Sequence, residues 1–183
     1  MRVVVAFAGS TSADTRAGVI EQAPDVEFVD VGRTPVAYYE LLRSLWSDGQ
    51  GFVLIEHDVV PAPGTLDAFG ACPSPWCSTA SDTWEWWGRW FSAGKGREWL
   101  ASGLCCNRFR RSVILANPDL FDLPMRDRHW AKLDCATVGR ITTHDPHCHH
   151  DLPHEHRHPY SATQADRRRD EVAAWRLAHK VAS

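Results

Sequence analysis

The sequence predicts an alternating α/β domain, and three stretches carry that prediction. Phe52 to Ile55 is a short, continuous apolar run bounded by Gly49 and Gly51, the pattern of a strand buried on both faces. Arg2 to Phe7 is a second apolar run near the start of the chain, and Val26 to Val31 alternates Val, Phe and Val with Glu and Asp. Between those strands and the buried one, Val36, Tyr39, Leu42 and Trp46 recur at helical spacing, with Tyr38, Leu41 and Leu45 widening the apolar face. Strand, strand, helix and buried strand is the opening of an α/β sheet domain.

Composition sets outer limits. A chain of 183 residues, 44% hydrophobic, suits one domain with a core of ordinary size. No apolar run approaches the length of a transmembrane helix. The apolar part of MRVVVAFAGS covers only Val3 to Ala8 and leads into a Gly-Ser turn. It therefore reads as a first strand rather than a signal peptide, and a cytoplasmic protein with no membrane partner is expected. A formal net charge of −3 supplies no global field to attract nucleic acid, so any polyanion contact must come from a local patch. The six cysteines include no C-x-x-C pair, so the zinc-ribbon and thioredoxin signatures are absent. In a reducing compartment such cysteines serve as small buried hydrophobes.

Taken in order, the loop Gly9 to Thr15 follows the first strand, and the hydroxyls of Ser10 and Thr11 serve there either as nucleotide contacts or as parts of a plain turn. Asp30 closes the second strand. Thr34 and Pro35 are a capping hydroxyl and a first-turn proline for the helix that Gly49 ends. The buried strand then stops in Glu56, His57 and Asp58, three ligand-capable groups at a strand's carboxyl end, where open α/β sheets bind their ligands. Pro61 and Pro63 turn the chain away. Thr65 to Phe69 reads as a short helix, and Cys72-Pro-Ser-Pro-Trp-Cys77 as a rigid loop that packs Trp76 near the pocket. Trp84, Trp86, Trp87, Trp90, Phe91 and Trp99, interleaved with Arg89, Lys95 and Arg97, form either a packed segment or a stacking surface for sugars or bases. Gly103 to Phe109 reads as a strand. Beside it, Arg108, Arg110 and Arg111 either reach phosphates or solvate a strand end. A short helix begins at Ser112, and Asp127 to Val138 reads as another. Arg140 to Thr143 reads as a last strand, and Ser161 to Ala182 as an amphipathic C-terminal helix. The division expected is a domain over residues 1–160 with the helix of 161–183 packed on it.

Seven of the ten histidines fall between His144 and His158. Neutral imidazole is the commonest transition-metal ligand. His154 and His156, two apart, share one side of an extended segment, and His158 follows. The other reading of the tract is a solvated His-rich loop.

An apolar strand closing in Glu56-His57-Asp58 resembles the D-x-D motif of glycosyltransferases of the GT-A fold, with Glu in the first acidic place. More narrowly, EHDVVP, CPSPWC, GLCCNRF, HWAKLD and the His-rich end, in that order, resemble small glycosyltransferase-like proteins of actinobacteria and their phages, over about residues 1 to 158. The resemblance implies a GT-A-like (Rossmann-like), mixed and mostly parallel sheet flanked by helices. It implies a divalent cation, Mn²⁺ or Mg²⁺, on Glu56 and Asp58, completed by His154 or His156, and a nucleotide-sugar donor, with a UDP-sugar first. Asp30 would contact the nucleobase, and Ser10, Thr11, His57 and Arg108 the rest of the donor. Asp134, or else Asp127, would be the carboxylate base of an inverting transfer. The acceptor would carry a hydroxyl, with hydroxymethylated pyrimidine in phage DNA one candidate. The rival reading is a non-catalytic zinc module in which Cys72, Cys77, Cys148 and the His tract hold Zn²⁺ and the tryptophans form a binding face.

Overall fold

The structure, a computed structural model, describes residues 1–81, 104–130, 133–137, 140–141, 144, 146–156, 170–171, 173–175 and 177–179. The Trp-rich segment, His158, Ser161 and Gln164 lie outside these residues. In chain order the elements are β1 (Arg2–Phe7), α1 (Ala13–Gln22), β2 (Glu27–Asp30), α2 (Ala37–Ser47), β3 (Phe52–Glu56), β4 (Val59–Pro61), α3 (Thr65–Ala71), β5 (Trp76–Ser81), β6 (Cys106–Phe109), α4 (Arg111–Ala116), a 3-10 turn (Met125–Asp127), α5 (Leu133–Thr137) and β7 (His147–His156).

The strands form one mixed sheet in the order β2-β1-β3-β6-β5-β7-β4. β1 pairs parallel with both β2 and β3, β6 runs antiparallel between β3 and β5, β7 runs parallel to β5, and β4 is antiparallel to β7. Five of the seven strands thus share one direction, the mostly parallel sheet expected. β3 is buried along Phe52, Val53, Leu54 and Ile55 because each face carries its own core. On one face Leu54 and Val4 meet Tyr39, Leu42 and Trp46 of α2, together with Val113, Ile114 and Phe121. On the other, Val53 and Ile55 meet Val19 of α1 and Leu66 and Phe69 of α3. Trp46 anchors the first core with edge-to-face contacts to Phe52, Phe109 and Phe121, and its indole N–H donates to the Asn117 carbonyl at 2.7 Å.

Several local expectations are revised. The loop expected after β1 becomes a helix at Ala13, capped by Ser12, whose hydroxyl accepts from Thr15 N at 2.9 Å. Its apolar face is too thin to read, since only Thr15 and Val19 are buried. α2 begins at Ala37 with no side-chain cap from Thr34. Pro61 does not end strand structure: it belongs to β4, an edge strand, where a missing N–H is tolerated. Trp76 lies inside β5 and is 1% exposed, its N–H on Asn107 Oδ1 at 2.9 Å, so it is core and not pocket wall. The helix expected from Asp127 is interrupted because Trp130 N bonds the Pro35 carbonyl at 2.9 Å, which draws the chain out of helical register before α5. No strand forms at Arg140 and Ile141; the guanidinium of Arg140 instead bonds the carbonyls of Asp119 and Asp122, both at 3.1 Å. Over His147–His156 the His-rich tract is a strand of the sheet, β7, rather than a solvated loop. At the C-terminal end, Trp175 N–H donates to the Met125 carbonyl at 3.3 Å and its ring meets His129.

Two glycines make opposite predictions. A Cβ at Gly51 would meet the Phe109 carbonyl at 3.0 Å and the backbone of Arg110 and Arg111 at 3.2 Å, whereas one at Gly70 of α3 meets nothing within 4 Å. Gly51→Ala is expected to destabilise the fold by about 1–3 kcal/mol, and Gly70→Ala to stabilise it by up to about 1 kcal/mol through helix propensity. Urea denaturation midpoints of the two variants check both signs.

Candidate functional site

The carboxyl ends of β1, β2 and β3 lie side by side, because the register aligns Phe7 with Asp30 and Ala6 with Glu56. The loops leaving these strands are tied together. Ser12 N donates to the His57 carbonyl at 3.0 Å, which fixes the β1 exit loop against the turn between β3 and β4. Asp30 Oδ1 accepts from Gly9 N at 3.2 Å and Gly32 N at 2.9 Å, so its carboxylate braces the same loop. Gly9 adopts φ +82°, and a Cβ there would come within 3.1 Å of the Arg33 guanidinium, which places a cation over the loop. Ser10 is exposed, and Thr11 Oγ1 is buried with no hydrogen-bond partner.

Glu56, Asp58 and Asp134 converge here. Asp58 is 3% exposed, and Glu56 and Asp134 are half-buried. Their common neighbours report the convergence. Burial, then the charges of Glu56 and Asp134, push the Tyr38 phenol well above its ordinary range. Burial, then the charges of Glu56, Asp134 and Asp58, do the same to the Cys105 thiol. The Cys105 carbonyl also accepts from Glu56 N at 2.9 Å, so the segment entering β6 is joined to the end of β3. Carboxylates from the end of β3, the following turn and the first turn of α5 thus all act on Cys105. Carboxylate oxygens are the donors that divalent cations of the Mg²⁺ or Mn²⁺ class favour.

The β4–β7 register sets Val59, next after Asp58, opposite His156, and Pro61 opposite His154. His154 is fully buried, and its Nδ1 shares a 2.7 Å hydrogen bond with Thr79 Oγ1.

Two expected residues are engaged elsewhere. Arg108, expected at donor phosphates, is 3% exposed. Its guanidinium bonds the Ser74 carbonyl, the Cys72 carbonyl at 3.3 Å and Cys77 Sγ at 2.8 Å. As a residue of β6 it alternates onto the face that carries Cys106, and so points into the core between β3 and β5. Asp127 is ion-paired with Arg126 at 3.6 Å and is not among the carboxylates acting on Tyr38 and Cys105. Conversely, Tyr38, Cys105 and Arg33 belong to the corner and escaped the sequence reading. Tyr38 carried only its place on a helical apolar face, and Arg33 carried no pattern at all.

The raised Tyr38 and Cys105 values have a measurable sign. The unfolded thiol and phenol titrate near 9.0 and 10.0, while the folded protein holds both protons more tightly. Stability from these groups is complete below those values and is lost as pH rises through the higher folded ones. Removing one charge by Glu56→Gln lowers the folded values. The Cys105 thiolate of the folded protein should then form at a lower pH in Glu56→Gln than in the parent. Alkylation of Cys105 in the native protein across alkaline pH, read by mass spectrometry, tests it; an unchanged profile would contradict the placement of Glu56 beside Cys105.

Similarity to solved structures is confined to architecture. A197 from STIV aligns at a TM-score of 0.53 with 12% identity, over 85% of each chain. A glycosyltransferase involved in the glycosylation of the major capsid of PBCV-1 aligns at a TM-score of 0.53 with 9% identity, over 91% of this chain and 100% of the other. No family model and no curated protein matches the sequence. The chain therefore has an α/β fold of the kind a glycosyltransferase uses.

Proposed function

We propose that this protein is a metal-dependent glycosyltransferase that moves a sugar from a nucleotide-sugar, a UDP-sugar first, to a hydroxyl acceptor. The observation that supports this most is the place of Glu56 and Asp58 at the carboxyl end of β3, with both and Asp134 acting on Cys105. Carboxylate oxygens at that end of the sheet suit Mn²⁺ or Mg²⁺. In this reading Glu56 and Asp58 hold the ion, and His154 or His156 completes the set. Ligation by His154 would use Nε2, since Nδ1 is engaged with Thr79. The bound cation supplies Lewis-acid neutralisation of the diphosphate leaving group.

The remaining roles belong to side chains of the same corner. Ser10 and Thr11 present hydroxyls to the donor, and the buried, unpartnered Thr11 Oγ1 gains a partner when the donor binds. Asp30 lies beside the nucleobase, and His57 borders the diphosphate. Arg33, over the β1 exit loop, is a better placed phosphate ligand than the buried Arg108. In an inverting transfer Asp134 takes the proton of the acceptor hydroxyl as the new C–O bond forms at the sugar and the bond to the diphosphate breaks. The phage-type resemblance and the Trp-rich, Arg-bearing stretches of the sequence make hydroxymethylated pyrimidine in DNA one acceptor to try.

A thermal-shift panel of nucleotide-sugars with Mn²⁺ and Mg²⁺ tests the class, because a ligand of the folded state raises its midpoint. One donor family should stabilise the protein only with the metal, and Asp58→Asn should abolish that shift while leaving the unliganded midpoint within a few degrees. Asp134→Asn should keep donor binding and lower kcat by at least about 10²-fold. Stabilisation by no donor, or by donors equally well in chelator, would overturn the proposal.

A further inference from the structure

The His-rich strand has two halves with different surroundings. The second half, around His154 and His156, pairs with β4 beside the acidic turn. The first half, His147 to His149, pairs with β5 in a register that sets Cys77 against His147 and Thr79 against His149. His147 and His149 are two apart on one strand, so both project from the same face of the sheet, the face covered by α3. There Cys72, the residue that ends α3, meets them: one ligand atom each from Cys72, His147 and His149 lies within 4.8 Å of the others.

We propose that Cys72, His147 and His149 form a second metal site, separate from the carboxylate corner, that takes a borderline-soft transition ion of the Zn²⁺ type. One thiolate and two imidazoles are zinc donors, whereas Mg²⁺ and Mn²⁺ favour carboxylate oxygens. Tetrahedral zinc with its usual bond lengths spaces its ligand atoms about 3.3–3.8 Å apart, so modest side-chain rotation closes the set. An independent observation also points to a missing ligand. His149 Nε2 is buried and has no hydrogen-bond partner, a state that costs free energy and is relieved by ligation. The two imidazoles also approach edge to face at 4.6 Å, with Phe69 packed on the far side of His149 at 5.5 Å. Burial and the neighbouring His147 lower the proton affinity of His149, which favours the neutral, ligating ring.

The surroundings define the donor set. Cys77 is adjacent, but its sulfur accepts from the Arg108 guanidinium at 2.8 Å. That same guanidinium also bonds the Cys72 carbonyl at 3.3 Å, which holds the end of α3 in place. Cys148 alternates onto the opposite face of β7 and cannot join, which amends the sequence-level grouping of Cys72, Cys77 and Cys148. Among the described residues the site has three protein ligands, on the exposed side of which His147 lies. Binding displaces the Cys72 thiol proton to solvent, and it ties the start of β7 to the end of α3. None of this depends on the transferase reading.

The test uses the full chain, stripped with chelator and titrated with Co²⁺ as a spectroscopic probe and Zn²⁺ as competitor. The expected result is a sulfur-to-cobalt charge-transfer band that rises to a single-site plateau and that Zn²⁺ bleaches. Cys72→Ser should lose the band, and the exposed His147→Gln should weaken Co²⁺ binding at least tenfold with unchanged circular dichroism. Cys148→Ser and Asp58→Asn should leave the charge-transfer band as it is. If Cys72→Ser fails to fold, His147→Gln and His149→Gln carry the decision. No band in the parent protein, or a titration unchanged in both histidine variants, would overturn the site. Donor binding measured on the same variants reports separately on the carboxylate corner.

Discussion

Glu56, Asp58 and Asp134 all bring their charge to bear on Cys105, and the backbone that carries them is fixed from several directions. Glu56 continues a strand that is buried on both faces, so it cannot withdraw without unpairing β3 from β1 and β6. Asp58 is confined in a two-residue turn whose ends are both strand, and the His57 carbonyl in that turn is bonded to Ser12 N. Asp134 arrives on a short helix placed by a tertiary bond from Trp130 to Pro35. The aromatic core around Trp46 and the apolar face under α1 and α3 hold the strands that carry this corner.

The sheet order explains how residues from opposite ends of the chain reach that corner. β4 leaves β3 through the acidic turn but does not pair with it; it crosses to the far edge and pairs with the end of β7. The His-rich strand is therefore bound to the acidic turn by backbone register, whatever its side chains ligate. Its first half is held by β5 instead, beside the end of α3. One compositional feature thus spans two places: the edge next to the acidic turn and the cluster of Cys72, His147 and His149 beside α3. The glycosyltransferase and zinc proposals draw on different halves of the strand.

Much of the corner was legible because its signal is local. The run Phe52 to Ile55 ending in Glu56-His57-Asp58 states both burial and its end within seven residues, and the helix from Val36 to Trp46 shows a broad apolar stripe. What was not legible is decided by partners distant in sequence. α1 has too few buried positions to mark a face. β4 contains a proline that only an edge position excuses, and β5 hides Trp76 and Cys77 behind a Pro-Ser-Pro segment that reads as loop. Arg108 reads as a solvent-side cation until β5 and α3 close over it. Tyr38 and Cys105 carry no pattern that links them to Glu56; only the packed structure brings their protons under its charge.

The most direct measurement is anomalous diffraction at the manganese edge from crystals of the chelator-stripped protein grown with Mn²⁺ and UDP. Manganese should appear within bonding distance of a carboxylate oxygen of Asp58, with Glu56 or an imidazole of the second half of β7 in its coordination sphere and the diphosphate on its open side. Crystals in which UDP is bound away from the end of β3, or in which manganese occupies only the Cys72–His147–His149 cluster, would contradict it.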